Sequence, residues 1–376
     1  MRILMVSKAC IVGIYQRKLE EMARLPGVDL TVIVPPSWRE SSGEVCLERA
    51  YQEGYRMLVE PIRFNGDFHL HYFPTVPRHL AEFRPDIVHI DEEPYNLASW
   101  HTLRAARRIG ARTLIFGWQN ILRRYPWPFS AGEAWTLRHI DHAIAGTESV
   151  ASIWRDKGYR GPLSVIPQFG VDPVMFQPVE KPATDRPLRI GYIGRLVPEK
   201  GIDLLIRALR CIRDSNPDFL WELEIIGGGP ERHRLEGLAE RLGLSDRLTF
   251  SGSLKSTQMP ERYRQLDLIV VPSRTLPNWK EQFGRVLIEA MACGLPVIGS
   301  DSGAIPDVVG EGGLIFPEDD LDALADRLRR LLQDGALRHQ LGERGRARIV
   351  EKFTHAQVAA QTVDVYRQML DRPRQE

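Results

Sequence analysis

Short apolar runs of strand length recur along this chain, each followed by a stretch with helical spacing, and the series runs through twice. In the first half RILMVS (2–7), VDLTVIVP (28–35), IVHID (87–91), ARTLIFG (111–117) and HAIAGT (142–147) read as strands, with helices over 14–25 and 95–109. Near-continuous apolar strands alternating with helices predict parallel β-α units, because only a sheet covered on both faces buries such strands completely. The segment DPVMFQPVEKPATDRP (172–187) is rich in proline and charge, lacks periodicity, and reads as a linker. The pattern then restarts. Strands are expected at 188–194, 221–227, 247–252, 266–273 and 296–300, and helices at 203–212, 231–243 and 286–294.

With 376 residues the chain is long enough for two domains of ordinary size. We expect an α/β fold of two Rossmann-like domains facing each other across a cleft, over residues 1–175 and 176–355. A C-terminal helix over 356–376 is expected to cross back to the first domain. Strand carboxyl ends and helix amino ends make that cleft the natural ligand site. Lys+Arg 50 against Asp+Glu 49 leaves a net charge of +1, so no overall basic field points to nucleic acid. The amino end enters a strand pattern directly and predicts no leader, and no apolar run reaches membrane-spanning length. Cys10, Cys46, Cys211 and Cys293 lack metal or disulfide spacing and suit a reducing cytoplasm.

Three segments of the second half carry chemistry. In GYIGRLVPEKGIDLL (191–205) a strand gives way to a helix near Ile202, with Gly194, Arg195 and Lys200 between. Such a turn reads either as a seat for a diphosphate, with two cations beside a helix amino end, or as a surface loop with solvated charges. IIGGGPERHRL (225–235) places Gly227, Gly228 and Pro230 after a strand; glycine admits close backbone approach to a ligand, and Pro230 suits a first helical turn. The most specific segment is PSRTLPNWKEQFGRVLIEAMACGLPVIGSDSGAIPDVV (272–309). It sets Glu281 before, and Glu289 within, a helix starting near Gly284, so two carboxylates can accept hydrogen bonds from sugar hydroxyls at two ends of one ligand.

As a set, G-x-I-G-R-L, E-K-G, I-G-G-G-P, V-P-S and E-x-F-G-x-x-x-x-E-A-M-A-C-G-x-P-V-I resemble the C-terminal domain of family-four glycosyltransferases of GT-B fold, collinearly over roughly residues 188–317. The resemblance implies a retaining hexosyltransferase using a nucleotide diphosphate sugar, UDP- or GDP-linked, with no metal and no other cofactor. It implies that Arg195 and Lys200 clamp the diphosphate, with Gly194 beneath it. Glu281 then contacts the transferred sugar, with the Phe283-Gly284 turn beside it. Glu289 binds the ribose, Gly227, Gly228 and Pro230 border the nucleotide, and Ser273 belongs to the same V-P-S motif. The implied partners are a sugar or lipid-linked acceptor in bacterial polysaccharide or glycolipid synthesis. A sugar-nucleotide epimerase or a non-catalytic scaffold of the same fold is the alternative.

The first half matches more loosely. The family often carries a histidine where this chain, in TLIFGWQNILRRYPWP (113–128), has Trp118 or Gln119, followed by Asn120. Acceptor-side contacts are expected from Glu93, Gln119, Asn120 and Glu148; Glu92 and Glu93 follow a strand end, and Lys8 follows the first strand. His69 and His71 alternate as a strand would present them, with no further metal ligand nearby. Arg123, Arg124, Tyr125, Trp127 and Phe129 suit either the inner leaflet of a membrane or an ordinary surface. Asp320 and Asp322 begin a helix and read as capping acids rather than metal ligands.

Overall fold

The computed structural model describes residues 1–40, 43–178, 186–255 and 258–373. Two compact units divide the chain: Met1–Gly170 together with the chain from His355 onward, and Val171–Thr354. Residues 179–185 of the expected linker lie outside the described residues.

The first unit holds strands β1 (Arg2–Ser7), β2 (Asp29–Val34), β3 (Ser37–Glu40), β4 (Gly43–Cys46), β5 (Arg56–Val59), β6 (Ile87–Asp91), β7 (Arg112–Gly117), β8 (His142–Ala145) and β9 (Leu163–Val165). Its helices are α1 (Arg17–Ala23), α2 (Val76–Phe83), α3 (Leu97–Arg108), α4 (Phe129–His139) and α5 (Glu148–Asp156). Seven strands form one parallel sheet in the order β5-β2-β1-β6-β7-β8-β9, and β3 pairs with β4 as a separate antiparallel hairpin.

The second unit holds β10 (Leu188–Ile193), α6 (Ile202–Ser215), β11 (Trp221–Ile226), α7 (Arg232–Arg241), β12 (Leu248–Gly252), α8 (Met259–Gln265) and β13 (Leu268–Val271). It continues through α9 (Arg285–Ala292), β14 (Val297–Ser300), α10 (Ile305–Val309), β15 (Gly313–Phe316), α11 (Leu321–Gln333) and α12 (Gly335–Lys352). Its six-stranded sheet runs β12-β11-β10-β13-β14-β15, all parallel.

Leaving the hairpin aside, both sheets follow the doubly wound order, in which chain direction across the sheet reverses at one pair of strands. That pair is β1/β6 in the first unit and β10/β13 in the second. Loops leaving these strands diverge to opposite faces and open a crevice at the carboxyl edge. Every residue of β6 and of β13 is buried, as continuous apolar strands require.

The last helix, α13 (His355–Asp371), belongs to the first unit. Val358, Ala359, Val363, Tyr366 and Met369 pack with Leu19 and Met22 of α1 and with Ile3 and Met5 of β1. Tyr366 adds one polar tie: its hydroxyl lies 2.6 Å from Nδ1 of His89 on β6. In the second unit the amphipathic α6 lays Leu205, Ile206, Leu209 and Ile212 on the sheet beside α11. Asp320 caps α11 by accepting from the Ala323 amide at 2.8 Å, as its sequence position suggests.

Candidate functional site

The second unit's crevice is built from backbone first. Gly227 has φ +148°, and a Cβ there would stand 1.8 Å from the carbonyl oxygen of Gly194, so only glycine lets the loops after β10 and β11 touch. The contact is laced by Gly194 N–H to Ile226 O (2.9 Å), Leu196 N–H to Gly228 O (2.9 Å) and Glu231 N–H to Leu196 O (3.1 Å). Pro230 stands just before the cap residue Glu231 rather than within the first turn of α7, which begins at Arg232. The lacing of Glu231 back to Leu196 delays the helix.

Lys200 ends a short 3₁₀ turn, Pro198–Lys200, that feeds α6 through Gly201. Its Nζ lies 2.6 Å from Oε2 of Glu281, and the same oxygen accepts the Ser273 hydroxyl at 2.9 Å. Ser273 is itself fixed, since its carbonyl accepts the Ser300 hydroxyl at 2.5 Å. Arg195 stands exposed, and its guanidinium takes no ion-pair partner among the described residues. Gly284, at φ +75°, turns the chain into α9, while the Phe283 ring is buried against Phe353, 5.9 Å away. Only the backbone of that turn is therefore available to a ligand. Glu289 accepts the hydroxyl of buried Tyr263 at 2.8 Å; burial raises its pKa, against Arg285 and that hydrogen bond.

Sequence reading missed three supports here: Tyr263, Trp279, whose ring has the Lys200 ammonium 4.7 Å from its centroid, and Arg274. Arg274 donates its backbone N–H to Glu199 O at 2.8 Å and its guanidinium to Asp203 at 2.8 and 3.2 Å. That staples the turn bearing Lys200 to the segment bearing Glu281.

The first unit's crevice is differently charged. After β1 and β6, Lys8 Nζ lies 3.7 Å and His71 Nε2 3.2 Å from Oε2 of Glu92. Burial pushes the Glu92 pKa up, but Lys8 and His71 outweigh it and hold the carboxyl at about 2. Glu93, next in sequence, goes the other way: burial, aided by Glu92, pushes it up to about 7 against the Trp118 amide, which donates to Oε1 at 2.7 Å. Its Oε2 is buried without a hydrogen-bond partner. Ser7 and Gln168 hold Asp91 at 2.5 and 2.8 Å.

Gln119 is gripped at both ends. Its carbonyl accepts from Lys157 Nζ at 2.9 Å, and its amide donates to the Tyr125 hydroxyl at 3.2 Å. Lys157 also pairs with Glu133 at 2.5 Å. Asn120 is buried, whereas Glu148 is exposed in the first turn of α5. Glu93, expected on the acceptor side, is buried at this crevice, beside the charged cluster of Lys8, Glu92 and His71. His69 and His71 do not share a strand face. Asp67 accepts the amides of His69 and Leu70 at 2.9 and 3.0 Å and coils the segment into a turn. His69 then packs against Tyr95, Tyr125 and Phe129, and no group of metal-ligating side chains occurs among the described residues.

Two doubly wound units, one with a cation pair and two carboxylates around glycine-laced loops, define the GT-B class of glycosyltransferase folds. Residues 176–348 match the family model described as glycosyl transferases group 1, and residues 16–173 the model described as Glycosyltransferase Family 4; the chain belongs to this family. It is 33% identical over 254 residues to the D-inositol 3-phosphate glycosyltransferase of Streptomyces bingchenggensis, covering 62% of this chain and 54% of that relative. The chain thus spans about half the length of that relative. Identity to the lipopolysaccharide core biosynthesis mannosyltransferase of Rhizobium meliloti is 28% over 327 residues, 79% of this chain and 88% of the relative. Among solved structures, sucrose-phosphate synthase from Thermosynechococcus elongatus superimposes with a TM-score of 0.72 at 25% identity, covering 98% of this chain and 99% of that one. Among the described residues no helix is long and apolar enough to cross a membrane.

Proposed function

We propose that this chain is a retaining glycosyltransferase that moves a hexose-type sugar from a UDP- or GDP-linked donor to a hydroxyl of a saccharide or lipid-linked acceptor, in polysaccharide or glycolipid synthesis. The observation that carries this reading is the Lys200–Glu281–Ser273 cluster at the switch point of the second sheet, beside glycine-laced loops. Arg195 and Lys200 offset the charge that grows on the diphosphate as the glycosidic bond breaks, a task a divalent metal performs elsewhere. The reaction is accordingly metal-independent. Glu281 accepts hydrogen bonds from the transferred sugar's hydroxyls, and Glu289, steadied by Tyr263, accepts those of the ribose. Gly194, Gly227, Gly228 and Pro230 line the nucleotide, and the Phe283-Gly284 backbone faces the sugar and phosphate. The acceptor's proton passes to the leaving phosphate oxygen, so no separate general base is required. Glu93, Gln119, Asn120 and Glu148 serve the acceptor.

A peripheral contact with the cytoplasmic leaflet belongs to the same reading. Trp127 is 81% and Leu122 56% exposed, beside exposed Arg123 and Arg124. An aromatic and an aliphatic side chain next to basic residues suit an anionic interface. Co-sedimentation with phosphatidylglycerol vesicles, lost in a Trp127→Ser variant, tests it.

The primary test is thermal shift with UDP, GDP, ADP and CMP, without and then with Mg²⁺. A concentration-dependent rise from one nucleoside diphosphate without metal is expected. Lys200→Ala should lower turnover by about 100-fold or more. Absence of any nucleotide shift removes the donor-site reading.

A further inference from the structure

Between Ser273 and Glu281 the chain interposes residues 274–280, and the structure gives them a defined shape. Leu276 and Trp279 exchange backbone hydrogen bonds at 2.7 and 3.2 Å, closing a turn with Pro277 and Asn278 at its corners. Proline presets the first corner and asparagine tolerates the second, so the turn is locally encoded. Its root is anchored twice. Arg274 pairs with Asp203 and Asp319, and the Thr275 hydroxyl reaches Glu318 at 2.6 Å and Ser302 at 3.0 Å. The anchored turn presents a half-buried Trp279, whose ring centroid is 4.7 Å from Lys200 Nζ, which is itself 2.6 Å from Glu281.

An aromatic face, an ammonium and a carboxylate thus meet in one place. A pyranose ring has the matching chemistry: a face of C–H bonds that packs on an aromatic ring, an edge of hydroxyls for a carboxylate, and, in a nucleotide sugar, a phosphate on its anomeric carbon for the cation. A tryptophan supplies large contact area with little rotamer freedom to lose.

We propose that Trp279 is the platform for the donor's sugar ring and a determinant of which hexose is accepted. The inference rests on the donor-site reading above and adds the sugar's own contact. Trp279→Ala leaves the Arg274 and Thr275 anchors in place, and Trp279→Phe keeps an aromatic face. The test is calorimetric titration of wild type and both variants with UDP, GDP and ADP, and with UDP-glucose, GDP-mannose and ADP-glucose.

The expected result is that the nucleoside diphosphate that binds wild type keeps its Kd within about twofold in Trp279→Ala, while its sugar ester weakens about tenfold, restored in part by Trp279→Phe. Equal weakening of the diphosphate and its sugar ester overturns the platform, leaving Trp279 a support for Lys200. Unchanged binding of both overturns it too. If wild type binds none of the six ligands, the donor-site reading fails first and this inference with it. Lys200→Ala, which should weaken the diphosphate itself, separates the two failures.

Discussion

Replacing Glu93 with glutamine should stabilise the protein, and by an amount that depends on pH. Glu93 is pushed from its ordinary 4.5 to about 7 by burial, because its Oε2 lies unpartnered near Gly117 and the Trp154 ring. Between pH 4.5 and 7 the folded state keeps this proton and the unfolded state has lost it. Stability contributed by Glu93 therefore falls as pH rises through that window and is level above it. A shift of about 2.5 units at 1.36 kcal/mol each is about 3 kcal/mol. The wild-type curve alone would hide this, since His142, lowered to about 4 by burial, makes stability rise with pH over much of the same window. The difference between variant and wild type isolates Glu93. Glutamine is shaped like the neutral acid, so urea unfolding should show Glu93→Gln ahead of wild type by an amount that grows by about 2 kcal/mol from pH 5 to pH 7 and then levels off. A difference that is flat from pH 5 to pH 8 would refute the reasoning, because it would mean Glu93 carries the same charge folded and unfolded.

Three further outcomes are expected. Gly227→Ala forces a Cβ to within 1.8 Å of Gly194 O and should cost about 3 kcal/mol or more, read as a lowered melting temperature together with loss of nucleotide binding. Tyr263→Phe removes the 2.8 Å bond to Glu289 and should raise the nucleotide Kd about tenfold by calorimetry, a hydrogen bond to a charged group being worth roughly 1.5 kcal/mol or more. Tyr366→Phe leaves Nδ1 of His89 without its hydroxyl and should lower stability by roughly 1–2 kcal/mol in urea unfolding, with nucleotide affinity unchanged.

What the sequence displayed, and what it concealed, follows from where each signal resides. Strands such as IVHID and LDLIVV are legible because a parallel strand buried on both faces is a continuous apolar run. The edge strands β5, β9 and β15 escaped notice, being only partly buried and short. Helix α2 begins Val76-Pro77 and α4 follows Pro126 and Pro128, so proline reads as a breaker where it opens a first turn. The expected helix over 14–25 starts instead as a 3₁₀ turn, Gly13–Gln16, before α1. At the site, Lys200, Glu281 and Glu289 stand out because their spacing follows local turns and one helix. Lys8, His71 and Glu92 come from three separate segments, and Arg274 joins Asp203, Glu199 and Asp319 across the sheet's edge. No local pattern announces such clusters.

The two units repeat one topology but not one chemistry, and the difference bears on what each can hold. At the second unit's switch point Lys200 is paired with Glu281, while Arg195 stands exposed without an ion-pair partner among the described residues, beside glycine-laced backbone. An anion gains there. At the first unit's switch point Lys8 is already matched by Glu92, and Gln119 is matched by Lys157 and Tyr125. Glu93 near pH 7 adds either nothing or one negative charge. A phosphate brought to that crevice would find no uncompensated cation among Lys8 and Lys157, each paired with a glutamate. A neutral polyol meets no such obstacle, for it donates to carboxylates and accepts from amides without importing charge. The Arg195 guanidinium of the second unit, unpaired among the described residues, against the paired lysines of the first, therefore suits the proposed placing of the diphosphate in the second and of the hydroxyl-bearing acceptor in the first.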